Sequence, residues 1–140
     1  MAQVSASIDL PAPFQQVWDL VGGFGSLPDW HPLVAGSELS EGGRVRRLTT
    51  SDGQSIVERL LVFDEAAHSY SYTFIGEPLP MTGYRATLSV RAADGGQRAH
   101  VDWRGEFVPK GASEAEASRL LQGIYEAGLK ALARRFGAEA

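Results

Sequence analysis

Apolar and polar residues alternate with period two over residues 3–10. Val4, Ala6, Ile8 and Leu10 take one side and Gln3, Ser5, Ser7 and Asp9 the other, which predicts a half-buried strand. Pro11 ends it, and the period then changes. Phe14, Val17, Trp18 and Val21 fall at helical spacing, so residues 13–21 read as a short helix. Pro13 suits its first turn, where a missing N–H costs nothing, and Gly22-Gly23 stops it. Residues 24–30 have room for another helical turn or two before Pro32.

From Leu33 to Pro109 the pattern is strand after strand, near 33–40, 43–50, 54–63, 68–76, 82–93 and 97–108. Turn signals separate them: Glu41-Gly42-Gly43, Ser51-Asp52-Gly53, Asp64-Glu65-Ala66, Pro78-Leu79-Pro80 and Asp94-Gly95-Gly96. Connections this short make neighbouring strands antiparallel. Alternation is strongest late in the chain, where Tyr70, Tyr72 and Phe74 share a face, as do Tyr84, Ala86, Leu88 and Val90, and Val101, Trp103, Gly105 and Phe107. The opposite faces carry Ser71, Thr73, Arg85, Thr87, Arg91, Asp102, Arg104 and Glu106, so one side of the sheet is wet and the other covered.

Residues 113–136 close the chain as one long amphipathic helix. Ser113 and Glu116 have the spacing of a capping box. Leu120, Leu121, Ile124, Tyr125, Gly128 and Leu132 recur along one face, and Arg119, Glu126, Lys130, Arg134 and Glu139 are polar. Gly137 is a left-handed stop in this reading. Such a helix is about 34 Å long and needs a large apolar partner. The order of elements therefore predicts an α+β fold: a curved, seven-stranded antiparallel sheet wrapped around the C-terminal helix, with two short helices after the first strand.

At 140 residues the chain reads as a single domain, 1–140, long enough for a real core. A formal net charge of −4 without a basic patch argues against nucleic acid as a partner. The absence of cysteine excludes disulfides and thiolate metal sites. His31, His68 and His100 lack ligand spacing, so no metal is expected. No nucleophile elbow, phosphate-cradling loop or dinucleotide fingerprint is present, so no cofactor is expected either. Met1-Ala2-Gln3-Val4 does not open a signal peptide and no apolar run reaches membrane-spanning length, so the expectation is a cytoplasmic monomer or homodimer.

Six stretches taken in order carry a resemblance. They are Trp30-His31-Pro32, Gly43-Arg44-Val45-Arg46, Glu58-Arg59-Leu60-Leu61, Tyr70-Ser71-Tyr72, Pro78-Leu79-Pro80 followed by Tyr84, and Val101-Asp102-Trp103. With them the chain resembles the START-related, birch-pollen-allergen-like (SRPBCC) superfamily of helix-grip folds, and within it the bacterial polyketide cyclase/dehydrase-type branch. Onion lachrymatory factor synthase and the plant abscisic acid receptors are distant members. The resemblance implies an apolar cavity between sheet and helix, in which some members catalyse cyclisation, dehydration or proton transfer and others only bind or carry.

The most informative pair is Arg46 and Glu58, on consecutive strands. If Ser51-Asp52-Gly53 is a three-residue hairpin loop with Gly53 left-handed, Thr50 pairs with Gln54 and Arg46 lies opposite Glu58 on one face. A two-residue Asp52-Gly53 turn would put them on opposite faces. The resemblance favours the same face, because lachrymatory factor synthase has an arginine and a glutamate at the matching positions, linked to proton transfer. Buried, the pair can act as anion clamp and general base; solvated, it is worth well under about 1 kcal/mol. Tyr72 and Tyr84 match pocket tyrosines of the same relative and are equally at home as core aromatics. Trp103 and Phe107 would floor the cavity or fill it, and Tyr125 would reach in from the helix. Trp30 and His31 fall where this fold has its cavity mouth, with His31 a possible proton shuttle or merely an exposed neighbour of a packed tryptophan. Pro78-Leu79-Pro80-Met81 is either a gate over that mouth or a stiff turn. Gly105, Gly123 and Gly128 leave space for a ligand or for close helix–sheet contact.

Three functions remain open on this basis. The first is binding of a small, mostly apolar ligand, polyketide-, lipid- or aromatic-acid-like, read by Arg46, Glu58 and a tyrosine hydroxyl. The second is a cofactor-free cyclase, dehydratase or isomerase with Glu58 as base and Arg46 stabilising the anion. The third is a partner-binding module with a filled core.

Overall fold

Alternating apolar residues make the first strand, β1 (Ala2–Leu10), and the helical spacing after Pro13 makes α1 (Phe14–Val21), in the computed structural model, which describes residues 1–137. Pro13 stands at the N-cap, just before the first turn, and Val17, Trp18 and Val21 are buried. A 3₁₀ turn at Leu27–Asp29 is the second short helix. Six strands follow: β2 (Val34–Ser40), β3 (Val45–Thr50), β4 (Ser55–Asp64), β5 (Ser69–Ile75), β6 (Met81–Ala93) and β7 (Arg98–Pro109). They form one seven-stranded sheet in the order β1-β7-β6-β5-β4-β3-β2, antiparallel throughout. Each hairpin joins chain neighbours; the exception is β1, which returns to pair with β7 from Ala2↔Phe107 to Leu10↔Ala99.

The chain closes in α2 (Glu114–Arg135). The Ser113 hydroxyl accepts from the Glu116 N–H at 3.1 Å, and the Glu116 carboxylate accepts from the Ser113 N–H at 3.3 Å, so both halves of the capping box are made. Gly137 is left-handed, with φ of 80°. Glu139 lies outside the described residues. The buried stripe is Ala117, Leu121, Tyr125, Gly128, Leu129, Leu132 and Ala133. It is rotated from the expected one: Leu120 is 42% exposed and Ile124 only half-buried. The reason is the seat of the helix, which leans on β1 and β7 rather than on the middle of the sheet. Its Leu120–Ile124 side overhangs a gap instead of a wall.

Among the described residues no helix is long and apolar enough to cross a membrane, and no group of three metal-ligating side chains converges.

Candidate functional site

The β3–β4 hairpin sets the site. Gly53 takes φ of 89°, the Gly53 N–H donates to the Thr50 carbonyl at 3.0 Å, and the Thr50 N–H donates to the Gln54 carbonyl at 2.8 Å. The loop is therefore the three-residue form, and its register puts Arg46 directly opposite Glu58 on the concave face. Both are buried: Arg46 is 0% exposed and Glu58 5%. Arg46 Nε–H donates to Glu58 Oε1 at 2.8 Å, and Nη1 donates to the Phe24 carbonyl at 2.9 Å. Nη2 lies 2.7 Å from the same Oε1 but off a hydrogen-bonding angle, so the contact is electrostatic and its protons have no directed acceptor. Phe24 and Tyr72 cover the guanidinium, with ring centroids 4.2 and 4.8 Å from Cζ.

Burial works against the charge on Arg46, but the facing Glu58 carboxylate and then the Tyr70 and Tyr72 hydroxyls outweigh it and hold its pKa above the ordinary value. For Glu58 burial is the larger influence and pushes its carboxyl up, with Arg46 pulling it back.

Between α2 and the β3–β5 half of the sheet lies a cavity of about 300 Å³. Its walls are Leu48, Ile56, Phe74, Leu120, Leu121 and Ile124, with Leu27, Leu33, Val34 and Leu79 toward the rim beside Thr50, Ser51, Asp52 and Gln54. Glu58, Tyr72, Tyr84, His31, Trp103 and Tyr125 complete the lining. Arg46 does not: it stands behind Glu58, sealed by aromatic rings. The expectation of an anion clamp by Arg46 is corrected accordingly. Glu58 presents Oε2 without a hydrogen bond from any described residue.

The tyrosines are tied to one another and to the sheet. Trp103 Nε1–H donates to the Tyr72 hydroxyl at 3.0 Å, and the Tyr84 and Tyr125 hydroxyls share a 2.6 Å hydrogen bond. Burial, followed for Tyr72 by the charge of Glu58, raises the pKa of each phenol, so all three stay protonated at neutral pH. Gly105 makes this cluster possible, because a Cβ there would collide with the Tyr125 hydroxyl and press on Tyr84. Gly128 does the same for His31, whose ring carbon would lie 2.7 Å from an added Cβ. Both glycines thus serve close helix–sheet contact, while Gly123 faces open space on the exposed side.

Three expectations about the cavity are revised. His31 lines the cavity but is 1% exposed, so it is not an exposed neighbour of the tryptophan, and neither ring nitrogen is free to shuttle a proton. It donates from Nε2 to the Ile124 carbonyl at 2.8 Å and accepts at Nδ1 from the Leu33 N–H at 3.1 Å. Backbone groups have fixed roles, so the ring is the neutral Nε2–H tautomer, a strap between the 30–34 loop and α2. Trp30 is buried beneath that loop against His31 and Trp103, outside the cavity lining. Phe107 is fully buried core and is also outside the lining. In the β5–β6 turn Leu79 reaches the rim, while Met81, the first residue of β6, is buried.

His31 sets a pH dependence. Burial lowers its pKa, the Ile124 bond raises it, and the charge of Arg46 lowers it again, leaving it below the ordinary value. A histidine held below its unfolded value contributes stability above that value and loses it as pH falls through the folded one. His31→Gln keeps a donor and an acceptor but does not titrate. The variant should lose less stability than the wild type between neutral pH and about pH 5; equal losses in urea denaturation would rule out the strap as an acid-sensitive element.

Much of the wall was within reach of the same alternation that placed the pair. Leu48, Ile56 and Phe74 each stand two residues from Arg46, Glu58 or Tyr72 and so share their face. Phe24 had no such signal: its contribution is a loop carbonyl and a ring face brought in by tertiary contact.

The sequence of residues 1–137 matches the profile of a family described as polyketide cyclase/dehydrase and lipid transport. Among solved structures, the protein XoxI from Bacillus cereus is 43% identical, with 97% of this chain and 96% of that one covered and a TM-score of 0.94. An uncharacterized protein from Bacillus thuringiensis is also 43% identical, covering 96% of this chain and 98% of its own with a TM-score of 0.93. The Zhui aromatase/cyclase from a Streptomyces species is 18% identical over 93% of this chain and 87% of that one, with a TM-score of 0.72. At that identity the likeness is one of fold alone.

Proposed function

The chain belongs to the polyketide cyclase/dehydrase and lipid transport family, and from that premise we propose that it binds a small, mostly apolar molecule in the cavity between the sheet and α2. The observation that carries this reading is the cavity itself: about 300 Å³, apolar on most of its surface, and closing on the Glu58 carboxylate and the phenols of Tyr72, Tyr84 and Tyr125. Small-molecule sites are built this way, with apolar walls and a few placed polar groups. An open interior argues against a partner-binding module with a filled core.

Native mass spectrometry on freshly purified protein, with extraction of whatever is retained, tests the reading. A bound small molecule is the expected result. Ile124→Trp, which places an indole in the gap under α2, should abolish retention. Retention that survives this block would place the ligand elsewhere and sink the cavity as its site.

One observation favours a second reading, proton transfer in the same cavity without a cofactor. Oε2 of Glu58 faces the lumen unpartnered, and burial raises the carboxyl toward the range of a general base. Tyr72 or Tyr84 would supply the proton, and Arg46 would act only through Glu58. Under this reading Glu58→Gln abolishes turnover while ligand retention persists; turnover that is unchanged in the variant removes Glu58 from the chemistry.

A further inference from the structure

We propose that the cavity selects neutral, hydroxyl-bearing ring compounds of about two fused rings and rejects carboxylates. The inference rests on reading the cavity as a ligand site and specifies what enters it. It follows from what each polar group on the wall has left to give.

Among the described residues no cation is available to a ligand in the cavity. The Arg46 guanidinium is sealed behind Glu58, outside the lining: Nε and Nη1 donate to Glu58 Oε1 and the Phe24 carbonyl, Nη2 is buried against the same Oε1, and Phe24 and Tyr72 cover its faces. His31 is neutral, with both nitrogens committed to backbone. The interior charge is therefore already balanced, one guanidinium against one carboxylate, and the carboxylate is the member that faces the lumen. A ligand carboxylate would add a second, uncompensated negative charge beside Glu58 in an apolar space, with Asp52 at the rim as a further anion.

A hydroxyl meets the same groups without that conflict. Glu58 Oε2 is a free acceptor. The Tyr72 oxygen accepts from Trp103 Nε1–H, which leaves its own proton to donate. A hydroxyl between the two donates to Glu58 and accepts from Tyr72, satisfying both at no cost in charge. Size follows from volume: a dry cavity of about 150 Å³ holds benzene, and this one is about 300 Å³. Flat walls, with Phe74 stacked on Tyr84 and Trp103 on Tyr125, suit a ring body.

Equilibrium dialysis of the full chain at neutral pH with naphthol and with naphthoate tests the proposal. Naphthol should bind at least about tenfold tighter, the worth of one charge-assisted hydrogen bond. Tyr72→Phe leaves the Arg46–Glu58 pair intact and should weaken naphthol several-fold with little effect on naphthoate. Glu58→Gln, where it folds, should bring the two probes close together. Naphthoate binding as tightly as naphthol overturns the selectivity. If that naphthoate is displaced by Ile124→Trp, the cavity still stands as a ligand site and only its chemistry was misread. If neither probe binds and native mass spectrometry finds nothing retained, the selectivity and the ligand-cavity reading fall together.

Discussion

Arg46→Met is expected to destabilise the chain by about 3–5 kcal/mol, as breaking one side of a buried ion pair usually does. Methionine replaces much of the apolar stem, so lost packing is a minor part. The cost comes from Glu58, which would stay buried with no guanidinium against Oε1 while the Phe24 carbonyl also loses its donor. The sign of the pH dependence provides a second check. In the wild type burial holds the Glu58 carboxyl above its ordinary value and Arg46 restrains it. Without Arg46 the folded-state value rises further. A raised carboxyl contributes stability that is fully present below the unfolded value and is lost as pH rises through the folded one. The variant's deficit should therefore shrink on acidification. Replacing the pair together, Arg46→Met with Glu58→Leu, should recover most of the loss, because an apolar pair carries no desolvation cost. Urea denaturation at two pH values measures all three. A single-variant cost under about 1 kcal/mol would mean the pair behaves as a solvated one.

Trp103→Ala should cost about 3–5 kcal/mol, the range for deleting a large buried aromatic. The indole is 2% exposed, stacks on Tyr125 at 4.5 Å, and touches Trp30 and His31 edge-on or tilted. Its N–H is the donor that fixes the Tyr72 hydroxyl. Alanine removes all of these at once and merges the vacated space with the cavity. Two outcomes follow together: a lower denaturation midpoint, and a larger lumen that admits three-ring probes excluded by the wild type. Trp103→Phe should lose less stability, since it keeps a ring against Tyr125 but not the donor. A small cost for Trp103→Ala with unaltered ligand scope would mean that α2 settles onto the sheet and closes the gap.

The Arg46–Glu58 pair was legible as one of two local alternatives, and the resemblance favoured the one the hairpin adopts. A three-residue loop with a left-handed glycine fixes the register, and register fixes the face. Tyr72, Tyr84 and Trp103 were legible as members of alternating strands. His31 was not. Its neighbours Trp30 and Pro32 mark a loop, and nothing in a loop sequence reports that a helix about ninety residues later offers a carbonyl to it. Trp30, placed at the mouth by the resemblance, and Phe107, placed on the inner face by alternation, were left as lining or core and are core, because face alone does not say whether the space above a residue is open or filled.

Periodicity, capping and turn chemistry by themselves determined the elements, the antiparallel hairpins and the covered face of the sheet, and narrowed the Arg46–Glu58 register to two turn types, between which the family resemblance chose. Each of these depends on interactions within a few residues or across one turn. Tertiary structure alone decided that β1 closes on β7, that α2 leans to that side and leaves a gap over β3–β5, and that Arg46 lies behind Glu58 rather than beside it. Those outcomes depend on depth above the sheet. Depth is set by what packs there from distant parts of the chain: the Phe24 loop over Arg46, and α2 held close by Gly105 and Gly128.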